Sequence, residues 1–449
     1  MNTSVLEKPT TTEVIHQSWS WRKKLGFRFV FSFFGLLVFP FPLYYIPYSY
    51  KVVLKYYYQG LEWIAVQVGK HGLNLGPDFK NISNGSGDTT YDWVYMGTLL
   101  MIAVLITSVW SLLDRKRLAY QKLYRWLLML VSLYLMRYMF SYGLSKVFYL
   151  QFQAPNLERL FQTYGHSSPM RLMWTFMGAS QTYTVFAGAA EVLAGFLLIF
   201  RKTRTFGALV TFGVMFNVFW MNMSYDIPVK LFSLQLVVMG LWVAYADYPR
   251  LLAVLVSQKN NLPLSGHQPL FARLRNRRIL AGVQLVLISY VLYLGISYRI
   301  KARTNYYAPD RTKPVLYGIY EVKKFIKNGQ PSLPLLTDTT RWRRLLIDYP
   351  KRVSVMGMND RFIRYAAKTD TLKKQLILNT RKDIANKYTL AYERIGKDLK
   401  LSGILQKDTL EIHLKHYPEE HFSLLNRGFH WINELPYNRY KEEKRWWPN

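Results

Sequence analysis

The stretch LYRWLLMLVSLYLMRYMFSYGLSKVFYL, from Leu123 to Leu150, decides the fold class of this chain. It is long enough to cross a bilayer, since about 20 apolar residues in a helix span the hydrocarbon core. It nevertheless carries two cations, Arg137 and Lys146. A charge at bilayer depth costs about 3 kcal/mol or more, so these side chains are expected to face the interior of a helix bundle or to reach its edge.

Apolar windows of this kind recur along the first two thirds of the chain and end at Tyr298. Half of the 449 residues are hydrophobic and 16% are aromatic, which is rich for a soluble protein. We predict about seven transmembrane helices within residues 26–300, after a cytoplasmic tail at 1–25 and before a separate domain at 301–449. The predicted helices are Phe27–Ile46, Val94–Leu113, Leu123–Leu150, Trp174–Phe200, Phe206–Met221, Leu231–Ala246 and Ile279–Tyr298.

Basic residues cluster in short loops next to these windows, and such loops lie in the cytoplasm by the positive-inside rule. Seven spans fit these loops if the N-terminus is inside and residues 301–449 are outside. This predicts an integral membrane protein with its N-terminus in the cytoplasm and its C-terminal domain on the outer side. The basic loops are Arg22–Lys24, Arg115–Arg117, Arg201–Arg204 and Arg273–Arg278.

The formal net charge of +32 thus has a largely topological explanation, and we expect no nucleic-acid partner. The absence of cysteine excludes disulfides, thiol nucleophiles and Cys-ligated metal centres. The eight histidines lack metal-binding spacing, so no metal site is predicted. We expect no cleavable signal peptide, because the first 25 residues are polar and the first apolar run is long enough to stay as an anchor.

A polar core is predicted near mid-membrane. With level cytoplasmic helix ends and 1.5 Å per residue, Arg137, Glu191 and Asn217 lie about 22, 14 and 18 Å deep. Small residues flank Glu191 at i±3 and i±4, which lets another helix approach closely. We predict an Arg137–Glu191 ion pair with Asn217 hydrogen-bonded to it. It is either an internal clamp or a site for a ligand, a proton or a quinone headgroup.

Lys146 is predicted to act separately, because nine residues place it about half a turn around the helix from Arg137 and about 13 Å further along. It is expected to snorkel to the outer headgroups. Asn222, Asp226 and Lys230 of the turn NMSYDIPVK lie at similar depth and complete a predicted polar outer mouth. The Tyr and Phe residues of YLMRYMF (134–140) and LYYIPYSY (43–50) are interpreted as interface belts and packing rather than as a cofactor-binding segment.

The external loop, residues 48–93, contains NGSGDTTYDW at 84–93. This glycine-rich run lacks the lysine and the strand–loop–helix context of a phosphate-binding loop. A turn that caps the next helix with Asp or Thr is favoured. LEWIAVQVGKHG, residues 61–72, is interpreted as an amphipathic segment on the membrane boundary.

Residues 301–449 read mostly as short strands about ten positions apart, which predicts an antiparallel barrel or sandwich. A helix is predicted at 317–329. Side chains inside the sheet could line a small apolar cup, or Trp342 with Arg343 and Arg344 could close one end. The predicted strands are RVSVMGM (352–358), KQLILNT (374–380), YTLAYERI (388–395), LKLSGIL (399–405), TLEIHLKHY (409–417) and HFSLLNRGFHWI (421–432). Candidate surface residues are Arg427, His430, Trp431, Glu434 and Arg439.

Several motifs between about residues 134 and 250 carry a resemblance: YGLSKVFYLQF, SPMRLMWTFMGAS, FAGAAEVLAGFLLIFRKTRTFGAL and NMSYDIPVKL. They resemble the DoxX-like integral membrane proteins, and the full layout resembles the long form found in Bacteroidota. The resemblance implies a four-helix core at 123–250 and association with a quinone or another lipophile. It also implies a bacterial inner membrane, with the C-terminal domain in the periplasm. Relatives include a thiosulfate:quinone oxidoreductase subunit and a methylamine-utilisation maturation factor, so it implies no single activity.

Three functions stay open. The first is a redox-associated subunit that binds a quinone-like ligand and presents it to a periplasmic partner. The second is a non-enzymatic envelope assembly or cargo factor whose basic β domain docks an envelope protein. The third is a small-solute or proton-coupled transporter, for which a buried ion pair is suitable but no inverted repeat is visible.

Overall fold

A computed structural model describes residues 18–258, 265–303, 311–380, 387–428 and 430–432. The chain divides into two compact units. Met1–Phe152 and Thr182–Arg303 form the first, here called the helical unit. Gln153–Gln181 and Thr304–Asn449 form the second, here called the barrel unit.

Twelve α-helices lie in the described part of the chain, and the long ones belong to the helical unit. They are α1 (Trp21–Val38), α2 (Lys55–Gln67), α3 (Thr90–Leu113), α4 (Gln121–Val147), α5 (Leu157–Leu160), α6 (Pro169–Ala179), α7 (Gln181–Ile199), α8 (Arg204–Ser224), α9 (Lys230–Tyr245), α10 (Tyr248–Leu255), α11 (Leu274–Ala302) and α12 (Ser423–Asn426).

Six described helices are long and apolar enough to cross a membrane, and α9 with α10 makes a seventh if this pair, bent by 74°, is one span. The predicted membrane fold is therefore confirmed. One predicted span was wrong at its start, because Ser180 is extended and separates α6 from α7. The span begins at Gln181 and not at Trp174.

The start of α3 confirms the predicted helix cap in the glycine-rich loop. The Thr89 hydroxyl accepts a hydrogen bond from the Asp92 amide, and the Asp92 carboxylate accepts one from the Thr89 amide. This reciprocal arrangement satisfies amides that would otherwise lack partners at the helix end. The segment at 61–72 is helical, as α2 and the turn that follows it.

Nine antiparallel strands lie in the described part of the barrel unit. Apart from the two-residue second strand, which pairs with the first alone, each is hydrogen-bonded to the next along the chain. The first also pairs with the last, which closes eight strands into a barrel and leaves the two-residue β2 as an addition. The predicted β domain is confirmed, as a barrel. The strands are β1 (Gly318–Lys327), β2 (Gln330–Pro331), β3 (Trp342–Tyr349), β4 (Arg352–Gly357), β5 (Phe362–Asp370), β6 (Gln375–Thr380), β7 (Lys387–Ile395), β8 (Asp398–Leu405) and β9 (Asp408–Tyr417).

Two predictions about the ends of this domain were wrong. The predicted helix at 317–329 is instead the strand β1 and the turn after it, and a bulge between Val322 and Lys324 adds one residue to this strand. The bulge places Phe325 three positions after Val322 on the inner side, which imitates helical spacing. The described residues between 421 and 432 form no strand, since the pairing of β1 with β9 leaves no open edge beside them.

The barrel interior is a packed core and not an open apolar cup. Trp342 is buried there against Phe325, with ring centroids 6.3 Å apart. The neighbouring arginines lie outside the barrel core: Arg343 pairs with Asp360, and Arg344 stacks on Phe161. Other inward side chains include Leu345, Val355, Leu376, Leu378, Leu390, Leu401, Ile412 and Leu414.

Candidate functional site

Glu191 is paired with Lys146 and not with Arg137. The Lys146 ammonium lies 2.8 Å from Oε1 and 2.7 Å from Oε2 of the carboxylate. Lys146 is only 5% exposed and Glu191 only 2%. The predicted Arg137–Glu191 pair and the predicted snorkelling of Lys146 were therefore both wrong.

Close packing of α4 on α7 explains this pairing. A Cβ atom on Gly188 would lie 2.6 Å from the Gly143 carbonyl oxygen and 2.6 Å from Cβ of Lys146. One on Gly195 would lie 3.4 Å from the Met136 carbonyl oxygen. Small residues thus let two backbones approach closely, as predicted for the face around Glu191.

The same contacts show why the depth argument failed. Because Gly195 lies beside Met136, the end of α7 at Ile199 is level with the middle of α4. The start of α4 extends about 16 Å beyond it, at 1.5 Å per residue. The two helix ends are not level, so Glu191 meets the last turn of α4 and not its centre.

Arg137 lies among aromatic rings. Its Nε donates a hydrogen bond to the Tyr45 hydroxyl at 3.0 Å. The guanidinium carbon lies 4.7 Å from the Tyr44 ring centroid and 4.4 Å from that of Tyr138, both within cation–π range. Among the described residues, no carboxylate forms an ion pair with Arg137. In the described part of the chain this half-buried guanidinium is thus surrounded by tyrosine side chains and not by a counter-ion.

Arg137 lines a cavity of about 600 Å³ in the helical unit. The cavity lies where α1 ends and α3 and α9 begin, and α2 and the middle of α4 complete its wall. Aliphatic side chains such as Leu36, Val38 and Leu99 share the wall with seven tyrosines. These are Tyr44, Tyr50, Tyr57, Tyr58, Tyr95, Tyr134 and Tyr138.

Two carboxylates also line this cavity, and each accepts hydrogen bonds from backbone amides at the N-terminal end of a helix. Asp88 accepts hydrogen bonds from the backbone amides of Lys230 and Leu231 at 2.6 and 3.0 Å, at the start of α9. Asp92 belongs to the cap of α3. Negative charge is stabilised at such positions by the unsatisfied amides and the helix dipole.

Sequence reasoning missed the link between Asp88 and α9 and the tyrosine environment of Arg137. The cap joins residues more than 140 positions apart, so no local pattern reports it. The tyrosines of 43–50 and 134–140 were interpreted as interface belts and packing, although their density near an unexplained arginine was a usable signal.

The other predicted site residues of the helical unit do not join this pocket. Asn217 is exposed on α8 and does not join the ion pair. Asn222 is buried and donates a hydrogen bond to the Ser233 hydroxyl at 3.0 Å. Asp226, in the loop between α8 and α9, pairs with Lys230 at 2.8 Å. These side chains therefore make separate local contacts and do not form the predicted outer mouth together.

In the barrel unit, Arg427 follows α12, and His430 Nδ1 lies 2.8 Å from the Gly428 carbonyl oxygen. Trp431 is 90% exposed. Glu434 and Arg439 lie outside the described residues.

No protein-family model matches the chain, and no solved structure matches it. A similar protein is the uncharacterized protein YwoB of Bacillus subtilis (strain 168). The two are 32% identical over 117 residues, which cover 26% of this chain and 73% of YwoB.

Proposed function

This chain belongs to the family of that Bacillus subtilis protein, and we propose that it is a membrane protein that binds a quinone-like lipophile in the tyrosine-lined pocket around Arg137. The proposal rests on the hydrogen-bond donors of the Arg137 guanidinium. Only its Nε has a hydrogen-bond partner among the described residues. The remaining N–H donors are available to a ligand oxygen at the cavity wall.

The composition of the wall favours a lipophile with a polar ring over an ordinary solute. Tyrosine faces can stack against an aromatic or quinonoid ring. The aliphatic residues Leu36, Val38 and Leu99 offer an apolar surface to an attached tail. A ring carbonyl or hydroxyl would then accept a hydrogen bond from Arg137, which gains strength because the donor is charged.

The wider role follows from this binding site and from the loop charges. We propose a DoxX-like core, with the N-terminus in the cytoplasm and the barrel unit on the outer side of a bacterial inner membrane. In this role the protein is a redox-associated subunit, whose bound lipophile exchanges electrons with a partner that the barrel unit engages.

The test is mass spectrometry of organic extracts from full-length protein purified in mild detergent. Three proteins are compared: the wild type, Arg137→Met, and Arg275→Met as a control. Arg275 is exposed near the start of α11 and does not line the pocket. We expect nearly one quinone or related lipophile per wild-type and control protein, and about tenfold less in Arg137→Met, because a charged hydrogen bond is lost.

An absorbance measurement on the same samples tests the proposed redox role. The absorbance of a bound quinone changes on chemical reduction, and this change should follow the amount extracted. Only bulk phospholipid in all three proteins would overturn the proposal. Equal amounts of a lipophile in all three proteins would show that the lipophile binds outside the Arg137 pocket.

A further inference from the structure

A second large cavity, here called the arginine groove, lies wholly within the barrel unit. Its volume is about 980 Å³, and polar side chains form most of its wall. The segment 156–171 supplies one side, and residues of β4, β5 and the turn between them supply the other. The proposed lipophile pocket shares no residue with it.

The groove carries an excess of positive charge. Five arginines line it against two carboxylates, which leaves a formal net charge of +3 with histidine neutral. The carboxylates are Glu158 and Asp360, and Asp360 already pairs with Arg343, which does not line the groove. The arginines are Arg159, Arg171, Arg352, Arg361 and Arg364.

Glu158 is fully engaged by its own surroundings. It accepts hydrogen bonds from Nε of Arg364 at 3.0 and 3.1 Å and from Nη2 at 2.8 Å, and it also accepts one from the Ser354 hydroxyl. Arg352 lies 3.9 Å from the same carboxylate and stacks on Tyr349. Glu158 therefore pairs with two arginines of the β4–β5 side, Arg352 and Arg364, and forms no ion pair with an arginine of the opposite side among the described residues.

On that opposite side, two arginines share one neutral acceptor. Nη1 of Arg159 donates to the Gln162 side-chain oxygen at 2.8 Å, and Nη1 of Arg171 donates to the same oxygen at 3.3 Å. Two like charges are thus held close together. Among the described residues neither has an ion-pair partner, and the same holds for the exposed Arg361. Burial and the charge of Arg171 lower the pKa of Arg159, as expected for adjacent cations.

We infer that the arginine groove binds a phosphate group, carried by a soluble phosphate or by a lipid headgroup. A phosphate offers several oxygens and up to two negative charges, which matches converging guanidinium forks better than a single carboxylate does. The site is independent of the lipophile pocket, so either can fail without the other.

Calorimetric titration of the full-length protein in detergent tests this site. One arm uses inorganic phosphate, and the other uses dihexanoyl phosphatidic acid, with dihexanoyl phosphatidylcholine as the uncharged-headgroup comparison. The groove variant is Arg159→Gln with Arg171→Gln. The matched control is Arg394→Gln with Lys397→Gln, which removes the same charge at exposed residues in and after β7, outside the groove.

We expect phosphate or phosphatidic acid to bind the wild type and the control within about twofold of each other, and the groove variant to bind about tenfold or more weakly. Similar affinity for both probes identifies the phosphate group alone as the ligand, whereas binding of phosphatidic acid only identifies a lipid. Either result supports the inference. No binding of either probe, or equal loss in groove and control variants, overturns it.

Arg361→Gln is a second groove variant, for use if the double variant misfolds. It should fold normally, because Arg361 is exposed and has no ion pair among the described residues. This variant should keep the wild-type melting temperature and lose about threefold in affinity. If the double variant misfolds and the correctly folded Arg361→Gln protein binds with wild-type affinity, the groove is not the phosphate site.

Discussion

Two cations on one helix, Lys146 and Arg137, meet opposite environments. Lys146 lies at a close glycine contact between α4 and α7 and has its own carboxylate at 2.7 Å. Arg137 lies nine residues earlier, at a cavity wall, between tyrosine rings. A buried charge that is paired where the helices touch serves the fold, whereas one left without a counter-ion beside a cavity is suited to a ligand. The two environments predict different responses to substitution.

The largest effect is expected from breaking the Lys146–Glu191 pair. Glu191→Ala leaves the lysine buried and unpaired, which should destabilise the helical unit by about 3–5 kcal/mol. Thermal unfolding in detergent, followed by helical circular dichroism, measures the loss.

A double variant separates charge from packing at this pair. Lys146→Met with Glu191→Leu removes both charges and should recover most of the stability, since apolar replacements of buried pairs are often neutral. Asn217→Ala, on the exposed face of α8, is the control and should change little. A double variant as unstable as Glu191→Ala would show that the ion pair itself is indispensable.

The next largest effect is expected at the glycine contact. Gly188→Ala places a methyl group 2.6 Å from a backbone oxygen that cannot move independently, and should cost about 1–3 kcal/mol. Gly213→Ala is the matched control, because nothing lies within 4 Å of a Cβ atom there. It should be neutral or stabilise by up to about 1 kcal/mol, since alanine favours helices. Equal melting temperatures in the two variants would contradict the close approach of α4 and α7.

Replacing Arg137 should cost less stability than breaking the ion pair. Arg137→Met keeps an unbranched apolar stem but removes the guanidinium, and so loses one hydrogen bond and two cation–π contacts, about 1–2 kcal/mol in all. The same unfolding experiment, on ligand-free protein, checks it. A loss as large as that of Glu191→Ala would make Arg137 a structural clamp and erase the contrast between the two cations.

The sequence predicted this contrast only in part. Small residues around Glu191 correctly indicated a close helix contact, because side-chain size is a local property. The identity of the partner cation depended on how far α4 and α7 are offset along their axes. That offset is set by where each close contact falls, at Gly143, Gly188 and Gly195, and not by helix length.

The barrel shows the same division between local and long-range information. Strands with strict alternation, such as β8 and β9, were predicted almost to the residue. The sequence of β1 predicted a helix, because the bulge interrupts the alternation of inward and outward side chains. The arginine groove was not predicted at all, since it unites the segment after α4 with strands about 200 residues later.

The smallest expected effect is a pH dependence in the barrel unit, where Glu158 is the counterpart of Glu191. Burial raises the pKa of Glu158, but hydrogen bonds from Arg364 and Ser354 outweigh burial and hold the pKa below its ordinary value. A carboxyl group with a lowered pKa in the folded state adds stability above its ordinary pKa. That stability is lost as the pH falls from there through the folded-state pKa.

We therefore expect the barrel to melt at a lower temperature as the pH drops from about 5 to about 3. The change should be at most about 1 kcal/mol, because Arg364 is half exposed and solvent screens the pair. The infrared amide band of β-sheet follows the barrel separately from the helices. Glu158→Gln should make this dependence shallower without abolishing it, because Glu321 and Asp338 also have lowered pKa values. Glu393→Gln, at an exposed residue of β7, should leave it unchanged. If both variants keep the wild-type slope, Glu158 is not the group that titrates, and its charge matters as little to the fold as that of an ordinary surface carboxylate.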